Sequence, residues 1–392
     1  MEENSLSGLK EKDKIALTLE GGGARGAYQV GALRALYENK FRFEAVVGTS
    51  IGAINAAFIA QGDFDKLCNM WETLSFKDLL NLDNTAMKNV IDKKLDKETV
   101  KYLSKMLGDS IKNGGLDVTS ERKILESEID ENKIRNSQIL YGLVTMCVSD
   151  IKGEELFISD IPDGKLIDYI MATSNLPIFK RVIIDDKKYL DGGAWDNCPV
   201  HMLEEKGYED VVVIRAHKNI RIRNYKKILK RGKIRIHMIS PVDTLPSILN
   251  FDTQNLNYQI DLGYFDTLKI LNDLDGIRYY LNKFNTKIDK ILNFDVEKIK
   301  KCLNTYHIKL KIGENVFDEG VSGLIFKLSS KTKNKNAQTL KEGFISIFEE
   351  IAILNDIERF KIYDIKDFIN IIKRCKITKN KYVDFKEFIE LL

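Results

Sequence analysis

The first half of the chain alternates short apolar runs with stretches in which apolar residues recur every three or four positions. Short apolar runs are typical of strands buried in a sheet, and three-to-four spacing is typical of helices. Two predicted helices, residues 24–39 and 50–62, each follow an apolar run closely. This alternation predicts an α/β domain layered around a largely parallel sheet. The predicted strands are residues 14–20, 43–48, 139–150, 211–217 and 233–241.

From about Gly276 onward the pattern changes to helical periodicity, with no convincing buried strand. A change of this kind is typical of a boundary between two structural regions. We therefore predict two domains: residues 1–275, built on the sheet, and residues 276–392, a helical accessory region.

Composition and charge narrow the class of protein only slightly. The chain has 392 residues, of which 44% are hydrophobic and 30% charged, and its net charge of +3 indicates no particular partner. The charged residues 1–14 lack the apolar run of a signal peptide. No apolar stretch approaches the roughly 18 to 20 residues that span a bilayer. We therefore expect a cytoplasmic protein.

Cysteine and histidine are too scattered to suggest a metal centre. The five cysteines include no CxxC pair, and the four histidines form no cluster with metal-ligand spacing. Such cysteines are typical of reduced, structural thiols. We expect neither a metal nor a cofactor.

A serine stands where a predicted strand turns into a helix. Gly48-Thr49-Ser50-Ile51-Gly52 matches G-x-S-x-G, the nucleophile elbow, in the strand-to-helix setting that this motif needs. Gly48 and Gly52 permit the tight turn, and a helix N-terminus at Ser50 favours developing negative charge. Ser50 is therefore the candidate nucleophile.

A glycine-rich loop follows the first predicted strand. Gly21, Gly23 and Gly26 fit the dinucleotide fingerprint, which also requires an acidic residue at the carboxyl end of the second strand. Glu44 lies instead at the beginning of that strand, so the dinucleotide interpretation fails. Because the ends of neighbouring parallel strands converge, backbone N–H groups of this loop could stabilise an oxyanion beside Ser50.

The candidate base is either a histidine or an aspartate. Of the histidines, only His217, at the end of a predicted strand, lies where a triad histidine could. Asp191 follows a short strand-like run and precedes Gly192 and Gly193, so its carboxylate would lie on a tight turn. The residues alone leave both alternatives open.

A glycine loop, a nucleophile elbow and an Asp-Gly-Gly turn follow one another along the chain. Together these three motifs resemble the patatin-like phospholipases of bacterial type, and also the catalytic core of cytosolic phospholipases of the A2 type. The resemblance covers about residues 14–271 and includes residues 172–180 and Asn197 and Pro199, but not the C-terminal third. The motifs are Gly21-Gly22-Gly23-Ala24-Arg25-Gly26, Gly48-Thr49-Ser50-Ile51-Gly52 and Asp191-Gly192-Gly193.

The resemblance implies a three-layer α/β/α hydrolase core with a mainly parallel sheet, and an acyl-ester hydrolase that acts on lipids. It implies that Ser50 is the nucleophile and Asp191 the base, with no histidine. It further implies an oxyanion site formed by the backbone of Gly21, Gly22 and Gly23, with Arg25 alongside. The alternatives are a Ser-His-Asp esterase that uses His217, and a non-catalytic protein that binds an anion or a lipid.

A lipid substrate also requires a route to the membrane. Eight of the fifteen residues between Arg221 and Arg235 are basic, with no acidic residue among them. Basic residues contribute about 1 kcal/mol each near anionic headgroups. This basic segment is therefore a candidate for peripheral membrane contact, although a solvated helix face would carry the same pattern. We expect no nucleic acid partner.

Overall fold

The computed structural model describes residues 6, 9, 14–73, 115–218, 222–285, 296–308, 316–333, 337–376, 385, 388 and 389. These residues form two compact units, Met1–Leu271 and Asn272–Leu392. The first contains the sheet, and the second is mainly helical.

The first unit is built on eight strands that form one sheet. The apolar runs of β1, β2 and β7 are buried throughout, because helices cover both faces of the sheet there. The strands are β1 (Ile15–Leu19), β2 (Ala45–Thr49), β3 (Leu140–Cys147), β4 (Lys152–Phe157), β5 (Val182–Ile184), β6 (Lys187–Asp191), β7 (Asp210–Ile214) and β8 (Arg235–Ile239).

Helices connect these strands and pack on the sheet. Every residue of α2 except Ile51 is buried, since its alanines let it pack closely between the sheet and its neighbours. The helices are α1 (Gly26–Glu38), α2 (Ile51–Ala60), α3 (Phe64–Thr73), α4 (Thr119–Glu128), α5 (Glu131–Arg135), α6 (Leu166–Thr173), α7 (Val200–Glu205), α8 (Tyr225–Arg231) and α9 (Thr253–Leu271).

The centre of the sheet is parallel. Strands β3, β2, β1, β7 and β8 lie side by side in that order with parallel pairing. Alternate residues such as Ala16, Val47 and Val211 pack on one face in a core that includes residues of α7 and α8. On the other face, the Tyr141 hydroxyl donates a hydrogen bond to the Ala53 carbonyl of α2. The prediction of a three-layer α/β/α core with a mainly parallel sheet is confirmed.

Antiparallel strands extend one side of the sheet, and the apolar pattern gave little sign of them. The eight residues of β3 pair first with β2, up to Val144 opposite Thr49, and then with β6, from Thr145 opposite Asp191. Strand β4 lies along β3 as well and pairs with its residues 142–147. Since Thr49 and Asp191 face consecutive residues of β3, the carboxyl ends of β2 and β6 meet.

The second unit has its own apolar core, which includes Phe344, Phe348 and Phe368. The expectation of no buried strand was wrong here: the buried β9 pairs in parallel with the partly buried β10, with Tyr280 opposite Ile362. Two residues are too few for a periodic pattern, so these strands could not be predicted from the sequence. The elements are β9 (Tyr280–Leu281), α10 (Val296–Thr305), a π-helix (Val316–Val321), α11 (Ser322–Ser329), α12 (Leu340–Leu354), β10 (Ile362–Tyr363) and α13 (Ile365–Ile372).

Within the described ranges, no helix combines the length and the apolar character that crossing a bilayer requires.

Candidate active site

Ser50 lies at a strained turn between β2 and α2. Its backbone has φ +55° and ψ −129°, a region that residues other than glycine rarely adopt. A Cβ on Gly48 would lie 2.3 Å from the backbone of Gly52, and one on Gly52 would lie 2.3 Å from the Leu19 carbonyl oxygen. The two glycines therefore allow the close approach that holds Ser50 at the start of α2.

The Ser50 side chain reaches the Asp191 carboxylate directly. Ser50 Oγ donates to Asp191 Oδ2 over 2.6 Å, and both residues are only 8% exposed. The other carboxylate oxygen, Oδ1, accepts the Gly193 N–H over 2.7 Å, and the Asp191 N–H donates to the Asn175 carbonyl. Two hydrogen bonds thus fix the carboxylate against the serine, and a third holds the backbone of Asp191.

Burial changes the acidity of two carboxyl groups here. It raises the pKa of Asp191 to about 6, against the hydrogen bonds from Ser50 and Gly193 that favour the ionised form. Burial also raises the pKa of Glu121 to about 7, and the nearby Asp191 charge adds to this rise, while a hydrogen bond from Ser174 opposes it. Sequence reasoning missed Glu121, because a charged residue in the first turn of a helix is ordinary.

The glycine loop after β1 lies beside the serine. Gly23 has φ +55°, and a Cβ there would lie 2.2 Å from the Ile248 carbonyl oxygen, so only glycine fits. The Gly21 N–H donates to the Asn197 carbonyl, which removes it as an oxyanion donor. Among the described residues, the N–H groups of Gly22 and Gly23 donate no hydrogen bond. These two amides are the donors that the loop offers.

Arg25 does not accompany these amides into the cavity. Its Nε donates to the Pro246 carbonyl over 2.7 Å, and its guanidinium also lies near the Leu245 carbonyl. The guanidinium thus anchors the segment before Ile248, against which Gly23 packs, and the place of Arg25 alongside the oxyanion site stays a prediction.

A buried ion pair that sequence reasoning missed supports the glycine loop. Glu20, at the end of β1, accepts hydrogen bonds from Arg215 Nε and Nη2 at 3.1 and 3.0 Å. It also accepts the N–H groups of Ala216 and His217. The carboxylate thus ties the end of β1 to the segment after β7. Only the adjacency of Glu20 to Gly21 could have indicated this role.

His217 lies in the cavity wall beside the glycine loop. Its Nδ1 lies 3.5 Å from Glu20 Oε2, and among the described residues no hydrogen bond links its ring to Ser50. The serine hydroxyl is directed to Asp191 instead. Two other histidines pair elsewhere: His201 with Glu155, and His237 with Asp210.

These groups surround a cavity of about 390 Å³. Most of the side chains that line it are apolar, while Ser50, Asp191 and the glycine loop provide its polar part. The apolar lining includes Ile54, Ile124, Leu125, Leu176, Phe179 and Phe251. Such a cavity accommodates an aliphatic chain next to a small reactive centre.

The chain is similar in sequence to proteins of one kind, the patatin-like lipid hydrolases. The family model for "Patatin-like phospholipase" matches residues 17–204. The mouse "Patatin-like phospholipase domain-containing protein 7" is 25% identical over 399 residues, which cover 97% of this chain but only 27% of that protein. The "Probable lipid hydrolase 463L" of Invertebrate iridescent virus 6 is 26% identical over 273 residues, 63% of this chain and 86% of the viral protein.

Among solved structures, VipD from Legionella pneumophila aligns with 96% of this chain and 83% of its own, at 15% identity and a TM-score of 0.43. The family model covers the glycine loop, the elbow and Asp191. Residues 17–204 of the chain therefore match the patatin-like phospholipase domain, and the relatives named above are similar to the chain over this region.

Proposed function

We propose that this protein is a serine-dependent acyl-ester hydrolase of lipids that works with a Ser50–Asp191 dyad. The observation that carries the proposal is the 2.6 Å hydrogen bond from Ser50 to Asp191 in a largely apolar cavity. The family supplies the substrate class. The roles of the individual residues are inferred from the geometry.

In the first half of the reaction, Ser50 Oγ attacks the ester carbonyl carbon and its proton passes to Asp191 Oδ2. The carbonyl oxygen becomes an oxyanion, which accepts the N–H groups of Gly22 and Gly23. The tetrahedral intermediate then collapses, the bond to the leaving alcohol breaks, and Asp191 returns the proton to the alcohol oxygen. The acyl group remains on Ser50.

In the second half, a water molecule gives a proton to Asp191 and attacks the acyl carbon. Collapse of this intermediate breaks the bond to Ser50 Oγ, which takes the proton back, and the fatty acid leaves. A pKa of about 6 suits Asp191 to this cycle, because the carboxylate is ionised at neutral pH yet is a stronger base than an exposed aspartate.

The test is hydrolysis of a medium-chain p-nitrophenyl ester and of a phospholipid panel by wild type, Ser50→Ala and Asp191→Asn. We expect each variant to lose at least ~1000-fold in kcat while keeping a wild-type melting curve. Ser127→Ala and Asp186→Asn, at exposed positions, are the matched controls and should keep full activity. Activity that survives in folded Ser50→Ala would refute the proposal.

His217→Ala separates the dyad from a Ser-His-Asp esterase. A dyad enzyme should keep most of its kcat without the imidazole, whereas a triad enzyme should lose about as much as it loses without the serine. A wild-type protein that binds lipid but turns over neither substrate class would instead favour the non-catalytic alternative.

A further inference from the structure

Four exposed aliphatic side chains lie at the end of the sheet that carries the candidate site. Val148 is 38% exposed, Ile151 82%, Ile178 39% and Ile183 59%. We name these four residues the aliphatic rim. Only two other large apolar side chains of the described residues are comparably exposed, Leu229 on α8 and Phe326 in the second unit.

Strand register places two members of the rim side by side. The Val148 N–H donates to the Lys188 carbonyl over 2.7 Å, continuing the pairing of β3 with β6, and Ile183 lies opposite Lys188 on β5. Residues directly opposite one another in antiparallel strands point to the same face. Val148, Lys188 and Ile183 therefore form one exposed row across three strands.

This row leads to the cavity. Since side chains alternate along a strand, Leu190 lies on the same face of β6 as Lys188, and Leu190 lines the cavity. Ile178 stands between Pro177 and Phe179, which also line it. The exposed aliphatic groups are thus continuous with the wall of the cavity that contains Ser50.

Ile151 occupies a position that costs stability. It lies in the turn between β3 and β4 with φ +53°, where a β-branched residue is strained and glycine or asparagine would be relaxed. Of the four side chains, that of Ile151 is the most exposed. A strained backbone that presents an aliphatic group to solvent suggests that the group has a partner.

We propose that the aliphatic rim inserts into the surface of a lipid bilayer and holds the cavity entrance against it. A second copy of this chain would cover the entrance to the substrate cavity, whereas a bilayer supplies the substrate there. The inference rests on the proposed function for its substrate, but membrane binding can be measured without turnover.

The rim differs in charge from the basic segment between Arg221 and Arg235. Around the rim, Lys187 pairs with Asp150, and Asp185 and Asp186 lie in the β5–β6 turn, so basic and acidic groups are mixed. Insertion by the rim should therefore proceed on zwitterionic vesicles and change little with salt. Binding by the basic segment should require anionic lipid and weaken with salt.

The experiment measures sedimentation with phosphatidylcholine vesicles on a Ser50→Ala background, which binds without turnover. Val148→Ser combined with Ile183→Ser should weaken binding at least ~10-fold, since two large aliphatic groups no longer enter the bilayer. In the active protein the same two substitutions should lower the rate of phospholipid hydrolysis in vesicles by a similar factor and leave the hydrolysis of a soluble ester unchanged. Leu229→Ser is the matched control and should bind as wild type.

Ile151→Asn gives an independent readout. Asparagine tolerates the positive φ, so this variant should melt at a higher temperature while binding vesicles less tightly, a combination that damage to the fold cannot produce. Unchanged binding by both rim variants would overturn the proposal. The proposal would also be overturned if binding were sensitive to salt and were lost only when the charges of Lys226, Lys227 and Lys230 are reversed. A rim variant that changed the oligomeric state and not vesicle binding would overturn it as well. Wild type inactive on both soluble esters and phospholipids would refute the proposed function and leave the binding test valid.

Discussion

At the scale of single residues, two carboxyl groups with raised pKa values share the cavity with Ser50. Asp191 must be ionised to accept the serine proton, and its pKa is about 6. Glu121 ionises at about 7, and its carboxylate would then repel the oxyanion that develops in the same cavity. As pH rises, ionisation of Asp191 therefore favours ester hydrolysis, whereas ionisation of Glu121 opposes it.

The first prediction is a bell-shaped pH profile for kcat on a soluble ester. Activity should rise about tenfold per pH unit below a pH of about 6, as Asp191 ionises, and should decline above about 7. Glu121→Gln should remove the alkaline decline and leave the acidic limb unchanged. Glu126→Gln, on the exposed side of the same helix, should retain both limbs. An alkaline limb that persists in Glu121→Gln would exclude this role.

The second prediction concerns the buried Glu20–Arg215 pair. Glu20→Gln removes the negative charge that compensates the buried Arg215 guanidinium. We therefore expect a loss of roughly 3 kcal/mol in the free energy of unfolding. Urea denaturation at neutral pH measures the loss, with the exposed Glu205→Gln as control.

The pH dependence of stability tests the same pair. Burial would raise the pKa of Glu20, but hydrogen bonds from His217 and Arg215 outweigh it and hold that pKa below its usual range. The stability that this depressed pKa contributes is present above the unfolded value and is lost as pH falls through the folded value. The difference between wild type and Glu20→Gln should therefore shrink in acid, and a constant difference would count against the ion pair.

At the scale of elements, the strand-to-helix turn at Ser50 depends on two missing side chains. We predict that Gly52→Ala unfolds the domain or abolishes ester hydrolysis, because its Cβ would lie 2.3 Å from the Leu19 carbonyl oxygen. The control is Gly323→Ala in α11, where the nearest atom would lie 3.7 Å away and a gain of about 0.5 to 1 kcal/mol is expected. Thermal melts and p-nitrophenyl ester hydrolysis measure both. A fully active, stable Gly52→Ala would show that the turn tolerates a side chain.

The elements that sequence predicted are those with strong local patterns. Strands β1, β2, β3, β7 and β8 and helices α1 and α2 each carry a continuous apolar run or a clear helical period. Strand β5 has only three residues, and β6 begins with two exposed lysines, so only the approach to Asp191 suggested a strand. Strand β6 pairs with β3, a partner some forty residues away in the sequence, and β5 pairs with β6.

At the scale of the whole molecule, each of the two units has its own buried core. The predicted boundary at residue 275 and the roles given to the two regions stay predictions. We predict that residues 1–271, which contain all of the candidate site, fold alone and hydrolyse a soluble ester at a rate close to that of the full chain. A cooperative melt and the ester assay check this. A fragment that folds but is inactive would show that residues 272–392 contribute to catalysis.

The sequence by itself determined the alternation of strands and helices, the elbow glycines around Ser50 and the glycine loop. These depend on local geometry that only certain residue types satisfy. It also supplied Asp191 as one of two candidate bases, without deciding between them.

Only the tertiary structure decided which side chains meet. The long strand β3 pairs with β2 and β6 in succession and brings Asp191 to Ser50, residues 141 apart in sequence. The same packing occupied the Gly21 amide, turned Arg25 toward backbone carbonyls and placed Glu121 in the cavity wall. The physical reason is that hydrogen bonds and burial between distant segments depend on strand register, and no local pattern records the register.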